Sequence, residues 1–142
     1  MPATTNYLII GNGYLGNKFH KYFKGSVMST TRIQTEADVE REIDLHNPPW
    51  IINCAGVTGK PNVDWCEDHK EETLNGNVLL PLMIAKVCKQ RGVKMMHLGS
   101  GCVYEGDNHG KGFSEDDDPT FTGSFYSKTK AIAEDLLKSY GV

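Results

Sequence analysis

Four short apolar runs, Tyr7–Ile10, Val27–Ser29, Trp50–Cys54 and Lys94–Leu98, punctuate the chain, with amphipathic stretches between them. Runs of this length bounded by glycine, proline and polar turns suit buried strands, and the longer stretches between them carry helical spacing. The alternation predicts a parallel sheet with crossover helices. The first helix is expected over Tyr14–Tyr22, burying Leu15, Phe19 and Phe23 at i, i+4 and i+8. A second opens at Thr35, where Thr35-Glu36-Ala37-Asp38 reads as a capping box, packs through Val39 and Ile43, and ends before Pro48 and Pro49. A long helical stretch follows over Glu71–Arg91 and stops at Gly92, with Pro81 either kinking it or opening its second half. The segment Glu105–Phe125, with four glycines, Pro119 and the acidic run Glu115–Asp118, is a loop of the length that usually serves function. A last helix runs from near Ser124 to Tyr140, with Gly141 as its C-cap.

Composition narrows the picture. The 142 residues are 39% hydrophobic and 23% charged, which fits one globular domain and excludes wholesale disorder. With 15 basic against 18 acidic residues the net charge is −3, which argues against nucleic acid as a partner. No apolar run approaches the ~20 residues of a spanning helix, so no membrane is expected. The opening Met1-Pro2-Ala3-Thr4-Thr5-Asn6 lacks the basic start and apolar stretch of a signal peptide. Cys54, Cys66, Cys88 and Cys102 stand 12, 22 and 14 residues apart, which suits neither a zinc site nor a disulfide framework. Reduced thiols in a cytoplasmic protein are expected, three of them buried. The acids of Glu115–Asp118 have no histidine or distant acid to complete a ligand set, so no metal is expected.

Chemistry enters at the first strand end. Tyr7–Ile10 runs into Gly11-Asn12-Gly13-Tyr14-Leu15-Gly16, a GxGxxG that opens a helix. In such a turn the first glycine allows the tight bend, the second lets the backbone approach a pyrophosphate, and the third permits close packing of helix on strand. The helix N-terminus then offers free N–H groups to the phosphates. The second strand ends on Ser29-Thr30-Thr31-Arg32, without the acid that commonly binds the ribose hydroxyls in an NAD site. Arg32 can pair with a 2′-phosphate, so NADPH is expected over NADH; the rival acid, Glu36, has an alternative place in the first turn of the second helix.

Ser100 follows the fourth strand at its carboxyl end, and Tyr126-Ser127-Lys128-Thr129-Lys130 places Tyr126 and Lys130 on one helix face. A ketone reduced by hydride needs a proton for its developing alkoxide. Tyrosine, with a pKa near ~10, delivers one at neutral pH only beside a cation that stabilises phenolate, and Lys130 is that cation. Ser100 can hydrogen-bond the carbonyl oxygen, and Lys130 can also hold the nicotinamide ribose. Asn53 ends a buried strand, able to brace the following loop or to touch the cofactor; His97 is read as a hydrogen-bonded core histidine.

GxGxxG, Asn53-Cys54-Ala55-Gly56, Ser100 and Tyr126-xxx-Lys130 together resemble the extended short-chain dehydrogenase/reductases, and so imply a Rossmann-type doubly wound parallel sheet. Three blocks sharpen the resemblance: Gly56-Val57-Thr58-Gly59-Lys60-Pro61-Asn62-Val63-Asp64-Trp65-Cys66-Glu67, Gly101-Cys102-Val103-Tyr104-Glu105, and Phe121–Lys130. They are similar to those of the bifunctional 3,5-epimerase/4-reductases of nucleotide-activated L-rhamnose synthesis, over most of the chain from about Thr35 onward. The resemblance implies a UDP- or dTDP-4-keto-6-deoxyglucose substrate, epimerised at C3 and C5 and reduced at C4 by NADPH. It places Cys102 at an epimerisation acid/base position. Asn53, Ala55 and Gly56 are read at the cofactor, and Thr58 and Gly59, after the third strand, along the cofactor cleft. Thr58, Asn62, Asp64 and Trp65 are read as sugar contacts, with loop structure alone the alternative for the last three. Cys102 as a small buried residue is the alternative, and a non-catalytic NADP-binding module or regulatory subunit is the alternative for the chain.

The departures shape further expectations. The turn is one residue tighter than the GxxGxxG usual in that family, and Ser29 to Trp50 is too short for an extra strand–helix unit. The chain stops at Val142, twelve residues after Lys130, where relatives continue into a sugar-binding region. Residues 1–142 are thus expected to be a cofactor-binding domain carrying the Ser/Tyr/Lys set without a substrate domain. His109 in the long loop is the stand-in for a second epimerase acid/base. The last helix and Glu71–Arg91 are candidate surfaces for a homodimer.

Overall fold

The computed structural model describes residues 5–142; the start of the segment inspected for a targeting signal, residues 1–4, lies outside them. Four strands form one parallel sheet in the order β2-β1-β3-β4: β1 (Tyr7–Ile10), β2 (Ser26–Met28), β3 (Trp50–Asn53) and β4 (Lys94–His97). The register pairs Leu8 with Val27 and Ile51, and Ile51 with Met95. Three strands end one residue from their expected bounds, because pairing, not composition, decides where a ladder stops. Leu8, Ile9, Ile51 and Ile52 are fully buried, as both faces of a parallel sheet require.

On one face Leu8, Ile10, Ile51 and Met95 pack with Val39 and Ile43 of α2 (Glu36–His46), Ile84, Ala85, Val87 and Cys88 of α5 (Leu80–Arg91), and Leu137 of α6 (Phe125–Lys138). The Thr35 capping box forms as expected, with Asp38 N donating to Thr35 Oγ1 and Asp38 Oδ2 accepting from Thr35 N. Helix α1 (Tyr14–Tyr22) lies against β1 and β2, and here the expected burial fails. Leu15 is 50% exposed, Phe19 and Phe23 are only half-buried, and Gly16 is the residue that enters the core. The reason is proximity: the helix is drawn so close to the glycine turn that its backbone, not its side chains, fills the contact.

The Glu71–Arg91 stretch divides into α4 (Lys70–Leu74), a π-helical turn Asn75–Leu79 and α5, preceded by α3 (Trp65–Asp68). Pro81 sits in the first turn of α5, directly after the π-helical turn. Of the surfaces expected to pair two copies, most apolar residues prove to be core; Leu74, Leu79, Ile132 and Leu136 remain outside. No helix among the described residues is long and apolar enough to cross a membrane.

Candidate functional site

The carboxyl ends of β1, β2 and β3 open into a cleft of about 960 Å³. Its walls are Gly11 and Asn12 from the glycine turn, Ser29–Gln34 after β2, Ala55–Val57 after β3, and Glu72, Asn75, Gly76, Leu79, Leu80 and Met83 from the π-helical region. Gly11 has φ +105°, and a Cβ there would stand 2.4 Å from the Ala55 nitrogen. A Cβ on Gly16 would stand 1.9 Å from the Gly11 carbonyl oxygen. The turn therefore accepts no larger residue at either end. Gly13 caps α1 without a side chain, the first turn carries no acid, and Asn17 Nδ2 donates to Asn12 Oδ1 at 3.0 Å and to the Gly13 carbonyl at 2.8 Å. Exposed N–H groups with no nearby carboxylate suit an anion. Gly13, Tyr14, Leu15 and Gly16 shape this end without lining the cleft.

Arg32 is exposed on the cleft wall. Glu36, its rival, is outside the wall and pairs with Lys86 at 2.6 Å, joining α2 to α5. Asn53 is fully buried and takes the bracing role: Oδ1 accepts from Ala55 N at 3.1 Å, and Nδ2 faces His97 Nδ1 at 3.1 Å. It acts on the cleft through Ala55. His97 is hydrogen-bonded as expected but half-buried rather than in the core; burial, helped by the Lys130 charge, pushes its pKa down to about 4.

Beyond β4, Ser100 caps a 3₁₀ turn, Gly101–Val103, with its Oγ accepting from Cys102 N at 3.2 Å. Ser127, buried on α6, donates its Oγ–H to the Cys102 carbonyl at 2.6 Å, tying this turn to the helix of Tyr126 and Lys130. Lys130 is 6% exposed and donates to the Leu98 carbonyl at 2.9 Å; burial lowers its pKa. Its Nζ lies 4.0 Å from where a Cβ on Gly56 would stand, so the cluster adjoins the cleft at Gly56. Tyr126, one turn before Lys130, is 8% exposed. Ser100, Cys102, Tyr126 and Lys130 are thus gathered on one side, but none of them lines the cleft.

Cys102 is exposed, which corrects the buried alternative. All four cysteines are free; Cys66 and Cys88 are buried, Cys54 half-buried, and burial raises the Cys54 and Cys88 pKa values to about 11 and about 12. Thr58, Asn62 and Asp64 are exposed on the loop before α3, and Asn62 Oδ1 accepts from Asp64 N at 2.9 Å. Trp65 is half-buried, stacked on His69 with centroids 3.6 Å apart and packed on Gly59. None of these four lines the cleft. His109 is exposed at φ +56° in the long loop.

The residue that sequence reasoning missed is Asn77. It is fully buried in the π-helical turn, accepts from Val57 N at 2.7 Å, and donates to the Val57 carbonyl at 2.9 Å and to Thr129 Oγ1 at 3.2 Å. One amide thus holds the cleft loop to the neighbour of Lys130. Gly76 makes room, since a Cβ there would meet Val57 Cγ2 at 2.4 Å. Asn75-Gly76-Asn77 amid helical apolar spacing was the available signal. Glu67 is a second missed residue: its Oε1 accepts from Phe125 N at 2.6 Å, at the start of α6.

Comparison with known proteins gives the arrangement a context. The RmlD substrate binding domain matches residues 6–142. A bifunctional dTDP-4-dehydrorhamnose 3,5-epimerase/dTDP-4-dehydrorhamnose reductase of Arabidopsis thaliana is 42% identical over 148 residues, 97% of this chain and 49% of that protein. The UDP-rhamnose synthase of Acanthamoeba polyphaga mimivirus superposes with a TM-score of 0.84 at 31% identity, over 95% of this chain and 52% of that one. The dTDP-4-dehydrorhamnose reductase of Bacillus anthracis, in complex with NADP, shares the fold at a TM-score of 0.81 and 20% identity, over 96% of this chain and 50% of that one. The chain spans about half the length of these relatives.

Proposed function

The chain belongs to the RmlD substrate-binding domain family, and from that premise we propose that it is the cofactor-binding and proton-delivering part of an NADPH-dependent nucleotide-sugar 3,5-epimerase/4-reductase. The substrate class is a UDP- or dTDP-4-keto-6-deoxy sugar, and the product is the nucleotide-activated L-rhamnose. The observation that carries this reading is the buried Lys130 one turn from Tyr126, tied through Leu98 to the end of β4 and adjoining the glycine-turn cleft at Gly56.

The cleft fits a dinucleotide: Gly11 and Asn12 face it beside an acid-free helix start, Ala55 and Gly56 form the opposite wall, and Arg32 offers a guanidinium for a 2′-phosphate. NADPH, when bound, supplies the hydride. Tyr126 gives its hydroxyl proton to the C4 oxygen as charge develops there, and the Lys130 ammonium makes that loss cheaper by stabilising phenolate. Ser100 donates its hydroxyl hydrogen to the same oxygen while its Oγ accepts from Cys102 N. A C4 ketone acidifies the hydrogens at C3 and C5, and the exposed Cys102 thiol, within the 3₁₀ turn, is one of the two proton carriers on opposite sugar faces that inversion at these carbons requires. The sugar is held by Thr58, Asn62, Asp64 and Trp65.

A second reading, a module that binds NADP without turnover, is favoured by one observation: Ser100, Cys102 and Tyr126 stand outside the cleft walls. One experiment separates the two. NADPH oxidation is followed with a 4-keto-6-deoxy sugar nucleotide for the wild type and Tyr126→Phe. Turnover that falls at least about 100-fold in the variant, with NADPH binding retained, supports the reductase. Binding without turnover in the wild type supports the module. Retained epimerisation in Cys102→Ser removes that thiol from the mechanism.

A further inference from the structure

The loop after β2 is one wall of the cleft, and it is held from behind. Ser29 Oγ accepts from Thr31 N and donates to the Thr31 carbonyl, each at 3.3 Å, and Ile33 is anchored in the core. Between these anchors Thr31 Oγ1 donates to Glu42 Oε1 at 2.6 Å. Glu42 belongs to α2, is 4% exposed, and does not line the cleft. Its Oε2 is buried without a hydrogen-bond partner among the described residues; His46 Nε2 lies 3.8 Å away.

A carboxylate buried with one short hydrogen bond is a costly occupant for a position beside Ile43 that an aliphatic side chain would fill readily. What the carboxylate provides, and leucine cannot, is a strong acceptor for the Thr31 hydroxyl. Arg32 is the next residue, exposed on the cleft wall. Holding Thr31 fixes the backbone from which that guanidinium projects.

We propose that Glu42 is a positioning residue for cofactor selectivity: by latching Thr31 through its buried carboxylate, it aims Arg32 at the 2′-phosphate of NADPH. This rests on the reading of the cleft as an NADPH site. It adds a selectivity element that never touches the cofactor and that lies ten residues from the arginine it serves.

The test is equilibrium titration of the full chain with NADPH and with NADH, with thermal midpoints recorded alongside. Thr31→Val removes the donor and keeps the shape; Glu42→Leu removes the acceptor. Thr31→Ser and Glu42→Gln restore a hydroxyl and an uncharged acceptor. Each disrupting variant is expected to lower the NADPH-to-NADH affinity ratio about fivefold to tenfold, a share of what a charge-assisted Arg32–phosphate contact is worth, through NADPH alone. The double variant should fall no further than either single one, and the two conservative variants should recover most of the ratio. A folded Thr31→Val that keeps the wild-type ratio, or loses both cofactors alike, overturns the latch and leaves the NADPH site standing. A wild type that binds NADPH no better than NADH overturns both.

Discussion

Lowering the pH from 7.5 to 5.0 should expose the cost of the histidine that braces the cleft. Asn53 Oδ1 accepts from Ala55 N, so the group facing His97 Nδ1 is the Nδ2 amide, which can only donate. Nδ1 is therefore the acceptor, and the proton of the neutral ring sits on Nε2, buried without a partner among the described residues. Protonating Nδ1 would set donor against donor, beside the Lys130 ammonium and away from water. The pKa near 4, against an ordinary 6.5, follows from burial first and that charge second. Because the folded value is the lower one, the native state resists protonation that the unfolded chain accepts. Its stability is intact above pH ~6.5 and declines as pH falls toward ~4. At pH 5 the linkage amounts to about 2 kcal/mol, or roughly 6 °C of Tm for a domain of this size. The assay is thermal unfolding at the two pH values for the wild type and His97→Gln, whose carbonyl can still accept from Asn53. The wild type should lose about 6 °C more than the variant over this interval. Parallel losses in both proteins would refute the argument.

Three other outcomes follow from the geometry. Asn77→Leu strands both backbone groups of Val57, and unfolding in urea should show a loss of about 2–5 kcal/mol; Asn77→Asp should recover part of it, because the acceptor for Val57 N survives. Gly16→Ala drives a methyl into the Gly11 carbonyl, so NADPH binding should fall at least about tenfold in titration even where circular dichroism shows a folded chain. With a thiol reagent at pH 8, Cys102 should label within seconds to minutes, and Cys66 and Cys88 only as the protein unfolds, as peptide mapping of timed samples would show.

Much of the scaffold was legible because its signals are local. The four strands are short apolar runs between breakers, the Thr35 cap is spelled in four residues, and Gly92 and Pro81 mark helix ends by their own backbone limits. The glycine turn, Ser100, Tyr126 and Lys130 could likewise be named from spacing, since each sits at a strand end or one helical turn from its partner. Where periodicity misled was α1, whose Leu15 faces solvent because Gly16 and Gly11 bring the backbones into contact.

By itself, then, the sequence determined the four strands, the main helices and which residue types are available for chemistry, but not α3, the π-helical turn or the 3₁₀ turn. Tertiary structure alone decided which of them meet. Asn77 reaches Val57 across 20 residues and Thr129 across 52, Asn53 reaches His97 across 44, and Glu67 reaches Phe125 across 58. It also placed Ser100 and Tyr126 beside the cleft rather than on its walls. Such pairings depend on the relative placement of whole elements, which is set by close packing of the entire core and so leaves no mark in any one stretch of chain.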